Sequence, residues 1–192
     1  MRISDILTLL FWGLFYIFDE GENLVYIFLA ATFHESAHIF FYYIFKAKID
    51  SVRILPYGIS ASFRSTVKLS YKKETVALFA GPCFNLIVAV FCLIINSFLF
   101  VDGLETFFLY NAAYFMMNII PIFPLDGGRI LRNLLLQRFS SDFALKISGV
   151  SSVFFLALLF VISVWVFTES GGNFSLILIS LYLIITFFTK PD

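Results

Sequence analysis

Residues 23–45 read NLVYIFLAATFHESAHIFFYYIF. Apart from His34, Glu35 and His38, this stretch holds no charged or imidazole side chain. A helix of about 20 apolar residues crosses the hydrocarbon core of a bilayer, so the stretch reads as a membrane span. Ionisable groups inside such a span are costly and are seldom retained without a role. One segment therefore sets both questions: what solvent the chain folds in, and what His34, Glu35 and His38 do there.

Working outward, five further apolar runs stand at roughly 6–18, 76–100, 106–124, 148–167 and 174–189. The whole chain is 60% apolar and 14% charged, with 27 Phe and a mean hydropathy of +0.94. A water-soluble domain of this size could not cover so much apolar surface, so lipid is the better solvent. The expected fold class is an all-α polytopic membrane protein with about six transmembrane helices. Met1-Arg2-Ile3-Ser4-Asp5 is too lightly charged for a signal-peptide start, and no small-residue cleavage site follows, so the first run is expected to stay as a span.

Charge orients the spans. Asp19, Glu20 and Glu22 follow the first run, Asp102 and Glu105 flank the third connection, and Glu169 follows the fifth run; these connections lack Lys and Arg. Lys46, Lys48, Arg53, Arg64, Lys68, Lys72 and Lys73 follow the second run, while Arg129, Arg132, Arg138 and Lys146 follow the fourth. With Arg2 and Lys190 at the two ends, all 13 basic residues fall on one side of a six-span layout. The positive-inside bias then predicts cytoplasmic termini and cytoplasmic loops at 46–75 and 125–147. The formal net charge of zero implies no general attraction to nucleic acid. Within the longer loop, residues 51–64 (SVRILPYGISASFR) alternate apolar and polar residues around a Pro/Gly turn, which predicts a short cytoplasmic β-hairpin between helices 2 and 3.

His34-Glu35-Ser36-Ala37-His38 places two imidazoles four residues apart, on one face of a helix, where both can reach a single ion. Glu35 adjoins the first of them and can act on water without ligating. This is the H-E-x-x-H arrangement of two metal ligands and a general base. If the helix leaves the membrane near Lys46, His38 lies about 12 Å inside and His34 about 18 Å, so a polar cavity open to the cytoplasm is needed.

A catalytic zinc takes three protein ligands and one open position. The sequence has no third histidine, so a carboxylate or thiolate must serve. Asp126, in NIIPIFPLDGGR at 118–129, is the leading candidate, with prolines breaking the helix before it and glycines allowing a close turn after it. Cys83, in AGPCFN at 80–85, is the rival, although Gly81 beside it is explained more simply by close helix packing. Cys83 and Cys92 are otherwise expected to be buried free thiols. Asn85 and Asn118 are amides in apolar runs that must find partners. Either could bond a substrate carbonyl or oxyanion, or in the case of Asn85 join helices.

Taken together, HESAH at 34–38, AGPCFN at 80–85 and NIIPIFPLDGG at 118–128 resemble the site-2 protease family of intramembrane zinc metalloproteases, over about residues 20–135. The N-x-x-P-x-x-P-L-D-G-G form and the six-span layout look most like the stage IV sporulation protein FB group within it. The resemblance implies one Zn2+ per chain held by His34, His38 and Asp126, with Glu35 and Asn118 catalytic and Asn118, Asn85 and Pro124 binding substrate. It also implies a bacterial cell-membrane protein, active from the cytoplasmic side, acting on a membrane-associated protein such as a pro-sigma factor and restrained by regulatory membrane proteins. The chain reads as a single membrane-embedded domain over 1–192, without the CBS domain or PDZ-like segment of other branches. The rival reading is a divalent metal-ion transporter or channel built on the same cluster; it calls for polar residues continuing across the membrane, where the outer halves are almost wholly apolar.

Overall fold

The computed structural model describes residues 23–55, 58–64, 69–172 and 174–189. Six helices and one strand pair make up this part of the chain: α1 (Leu24–Ile44), β1 (Lys48–Leu55), β2 (Gly58–Arg64), α2 (Tyr71–Leu99), α3 (Leu104–Ile119), α4 (Asp126–Leu136), α5 (Ser141–Glu169) and α6 (Ser175–Thr189). The apolar run at 6–18, with both terminal basic residues, lies outside the described residues.

Local chemistry explains where each helix stops. After α1, Lys46 takes a left-handed conformation (φ 58°). Ala47 N then donates to Tyr42 O and Lys46 N to Tyr43 O, the paired bonds of a Schellman cap. Strands β1 and β2 pair antiparallel from Lys48↔Arg64 to Leu55↔Gly58, with an irregularity between Ile49 and Ser51. Ser70 opens α2, its hydroxyl accepting from Lys73 N at 3.4 Å. At the other end a tight turn through Phe100 (φ 46°) and Gly103 (φ 83°) sends the chain back as α3. A Cβ on Gly103 would sit 2.3 Å from the Tyr26 hydroxyl, so glycine is needed there for space as well as for conformation.

The fourth apolar run does not continue as a helix to residue 124. Pro121 disfavours helical geometry at Ile120, which is extended (φ −64°, ψ 132°), and α3 ends at Ile119. Residues 120–125 form a compact break, with Ile122 N donating to Ile120 O and Leu125 N to Ile122 O. The chain then re-enters a helix at Asp126. That helix, α4, occupies part of the segment expected as a cytoplasmic connection. It is a short amphipathic element burying Ile130 and Asn133 while Arg129 and Arg132 are half-exposed.

Helices α1, α2 and α5 are long and apolar enough to cross a membrane. Helix α3 has 16 residues and α6 has 15, so at 1.5 Å per residue each falls short of a hydrocarbon core about 30 Å thick.

Burial is inverted relative to a soluble protein. Large apolar side chains such as Ile87, Phe91, Phe98, Phe154, Val161 and Trp165 face outward, whereas His34, His38, Asn85, Asn111, Asp126, Ser152, Ser163 and Ser180 are buried. Hydrocarbon surroundings explain both halves of that pattern. The main apolar cluster joins Ile122 and Leu125 of the break to Leu156 and Leu159 of α5 and Leu183 of α6. The break is thus wedged against the C-terminal helices. Two serines of α5 secure it further: Phe123 N donates to Ser152 Oγ at 3.0 Å, and Ser151 Oγ donates to Pro121 O at 3.2 Å.

Candidate active site

The helix break brings Asp126 to α1. Its Oδ2 lies 2.9 Å from His34 Nε2 and 3.0 Å from His38 Nε2, and the two Nε2 atoms are 3.0 Å apart. Among the described residues this is the grouping of His, Cys, Asp and Glu side chains able to hold a metal ion, and all three members are buried. The imidazoles meet edge to face, with centroids 4.7 Å apart at 84°. Asp126 opens α4, where the unpaired N–H groups and helix dipole favour a negative charge.

The partners at the far side of each ring decide what the centre can bind. His34 Nδ1 is 2.7 Å from Asn85 Oδ1, and His38 Nδ1 is 2.8 Å from Ala77 O. Both partners are acceptors, so both Nδ1 atoms carry the hydrogen and a neutral ring presents a bare lone pair at Nε2. Two such lone pairs and a carboxylate oxygen then converge within about 3 Å, with no donor among them. A cation relieves that arrangement. Two imidazole nitrogens and one carboxylate oxygen are a donor set suited to zinc, and the outer hydrogen bonds are of the kind that orient zinc-bound histidines.

Glycines make the convergence possible. A Cβ on Gly81 would stand 2.4 Å from His38 Nε2 and 2.8 Å from His34 Cε1, so α2 offers a bare backbone against which both rings lie. Added Cβ atoms on Gly127 and Gly128 would come within 2.3 Å of Ile120 O and 2.4 Å of the Ile122 carbonyl carbon. The start of α4 therefore packs directly on the break preceding it. Pro82 cannot donate to the Leu78 carbonyl, and in the same turn of α2 the Ala77 carbonyl accepts from His38.

Glu35, next to His34 in the chain, is half-buried and does not belong to the triad. Asn85 is fully buried. Besides accepting from His34, it donates to Ala30 O at 3.0 Å and to Asn111 Oδ1 at 2.9 Å. Asn118, half-buried near the end of α3, donates to the Tyr114 carbonyl one turn back at 3.1 Å. Pro124 sits half-buried in the break. Cys83 is exposed, unlike the buried thiol expected, and stands apart from the metal-binding group; Cys92 is buried. Arg129, one turn after Asp126, lies 3.8 Å from Glu74 of α2.

Two neighbours of the centre, Asn111 and Tyr114, are not singled out by the sequence. Asn111 carries the signal that singled out Asn85, a lone amide in an apolar run. Tyr114, its ring 6.0 Å from that of His34, is one helical turn further along the same helix. Gly81 was legible as a packing glycine, but what it packs against is the pair of histidines.

Comparison with known proteins fits this geometry. The sequence pattern of Peptidase family M50 matches residues 99–162, which contain the Asp126 segment. A zinc metalloprotease of Methanocaldococcus jannaschii is 29% identical over 182 residues, covering 91% of this chain and 48% of that protein. Stage IV sporulation protein FB of Bacillus subtilis is 27% identical over 140 residues, covering 72% of this chain and 49% of its own length. The chain thus spans about half the length of these curated relatives. The solved site-2 protease from Methanocaldococcus jannaschii superposes with a TM-score of 0.71 at 24% identity, over 98% of this chain and 88% of that one, and so shares the fold. In sequence the chain is thus similar to peptidases of family M50, and it shares the fold of a site-2 protease.

Proposed function

We propose that the chain is an intramembrane zinc metalloendopeptidase that hydrolyses a peptide bond of a membrane-associated protein within or near the bilayer. The observation that carries this reading is the meeting of two Nε2 lone pairs and the Asp126 carboxylate beside a non-ligating Glu35. His34, His38 and Asp126 would hold the zinc, which supplies Lewis acidity toward a substrate carbonyl and acidifies water. Glu35 takes a proton from the attacking water as its oxygen bonds to the carbonyl carbon. It then returns that proton to the amide nitrogen as the C–N bond breaks, leaving a carboxylic acid and an amine, which become carboxylate and ammonium once the acid proton passes to the amine. Asn118 is assigned to the substrate carbonyl or oxyanion, and Pro124 to the wall of the substrate path. Asn85 has its oxygen and its amide hydrogens engaged within the protein, which favours a supporting role over substrate contact.

A six-span layout with cytoplasmic termini and a cytoplasm-facing centre accounts for the one-sided distribution of the basic residues. A helical substrate must unwind before its carbonyls become available, and the β1–β2 pair offers a strand edge for the extended segment. The sporulation relative favours a sporulation-linked substrate, with a pro-sigma factor as the specific form of that proposal and regulatory membrane proteins as further partners. Because the relatives are peptidases, metal transport is the less favoured use of the cluster.

Glu35→Gln tests the reading. The variant should retain zinc at the wild-type stoichiometry and lose cleavage of a membrane-tethered peptide by about 10²-fold or more, the lower end of a general base's contribution. Wild-type cleavage by purified Glu35→Gln protein would end the proposal.

A further inference from the structure

The hydrogen bonds running from His34 through Asn85 to Asn111 carry one step more, which rests on the triad being a zinc site. The orientation of the Asn85 amide is fixed by its neighbours. Ala30 O and Asn111 Oδ1 are both acceptors at 3.0 and 2.9 Å, so the NH2 group faces them and Oδ1 faces His34. Asn111 is fixed in the same way, since its own Nδ2 donates to Phe107 O at 2.9 Å and leaves Oδ1 for Asn85. Two backbone carbonyls, Ala30 O on α1 and Phe107 O on α3, thus anchor the direction of every hydrogen in the chain of bonds. Both amides are fully buried, so water does not compete for them. His38 is held differently, by the Ala77 backbone carbonyl, which no side-chain substitution removes.

We propose that Asn85, itself oriented by Asn111, is the positioning residue that locks His34 in the tautomer and ring orientation a zinc ion requires. His34 is then the ligand whose strength is set by side chains of α2 and α3, while His38 is set by the backbone. Without the Asn85 oxygen, His34 is free to carry its hydrogen at Nε2, where it excludes the metal, and free to rotate.

The test uses the whole chain in detergent micelles, stripped of metal and reloaded with zinc alone, with the zinc dissociation constant read by chelator competition. Asn85→Leu should bind zinc about 10–100-fold more weakly, the loss usual for an outer hydrogen-bond partner. Asn111→Leu should show a smaller loss in the wild-type background and almost none when Asn85 is already Leu, because it acts through Asn85. In the zinc-loaded chain the two histidines give two Nδ1–H proton signals; in Asn85→Leu only that of His38 should resist exchange with water. Wild-type zinc affinity in Asn85→Leu, or additive losses in the double variant, would overturn the proposal by reducing the amides to helix packing. Should Asn85→Leu fail to fold, Asn85→Ala replaces it with the same expected and overturning results. A wild-type chain that binds no zinc at all would instead overturn the metalloprotease reading beneath it.

Discussion

Replacing Gly81 by alanine sets helix stability against the metal centre. In an unperturbed helix, Gly→Ala stabilises by about 0.5–1 kcal/mol because alanine loses less conformational freedom. Here the new Cβ would meet His38 Nε2 at 2.4 Å, His38 Cε1 at 2.6 Å and His34 Cε1 at 2.8 Å, whereas ordinary contact begins near 3.4 Å. Relief requires the His38 ring to withdraw by about 1 Å, several times the roughly 0.2 Å that zinc sites tolerate in their ligand distances. That withdrawal cannot be shared with the far side of the ring without loss, because Nδ1 is tied to Ala77 O at 2.8 Å. A displacement of this size should weaken zinc binding by about 10²-fold, roughly 2.8 kcal/mol. Cleavage should fall in parallel. The zinc-free protein should change far less in melting temperature than in zinc affinity, because the helix gain offsets part of the cost of moving the ring. Chelator competition for zinc, paired with thermal unfolding of the metal-free chain in detergent, reads both. Gly81→Ala protein that binds zinc with wild-type affinity would refute the argument that bare backbone at this position is what admits the two rings.

Two further expectations follow from the break and from the charge pattern. Ser152→Ala leaves the Phe123 N–H without its acceptor and should destabilise the fold by about 1–3 kcal/mol, measured by unfolding in detergent, whereas Ser151→Ala, which removes a longer bond to a half-buried carbonyl, should cost less. A reporter fused after Asp102 should behave as non-cytoplasmic and one fused after Lys73 as cytoplasmic; the reverse pattern would invalidate the orientation drawn from the basic residues.

The histidine pair was legible because its geometry is local: a spacing of four on any helix brings two rings together. Asp126 was legible because the prolines before it and the glycines after it announce a backbone break, whatever that break packs against. The end of α3 was not legible from hydropathy, since Pro121 stops the helix while the apolar run continues to residue 124. Nor was α4, whose polar face made it read as a loop. Cys83 and Gly81 show a signal that was present and unused. On α2, Gly81, Asn85, Ala89 and Cys92 recur at spacings of four and three and are all buried. Cys83, two residues from Gly81, points about 200° away from it on a helix and is exposed. Helical arithmetic therefore separates the amide that supports a ligand from the thiol that does not. What arithmetic on one helix cannot supply is the partner, since Gly81 meets residues of another helix and Asn85 is bonded to side chains of two others.

That division explains how a cluster able to hold a metal ion can exist in such an apolar chain. Unpaired polar groups are expensive in hydrocarbon, yet among the described residues Asn133 Nδ2 is the buried side-chain atom left without a partner. Around the triad, Asn85, Asn111 and the Ala30, Ala77 and Phe107 carbonyls satisfy one another and the outer face of each imidazole. The electrostatic excess is therefore confined to three atoms, His34 Nε2, His38 Nε2 and Asp126 Oδ2, which repel one another until something positive lies between them. The apolar surroundings strengthen that repulsion and, for the same reason, the binding of the cation that cancels it. Affinity for the metal and the closeness of the ligands thus have one physical origin: a carboxylate delivered by a broken helix to a pair of imidazoles whose outer hydrogen bonds prevent them from turning away.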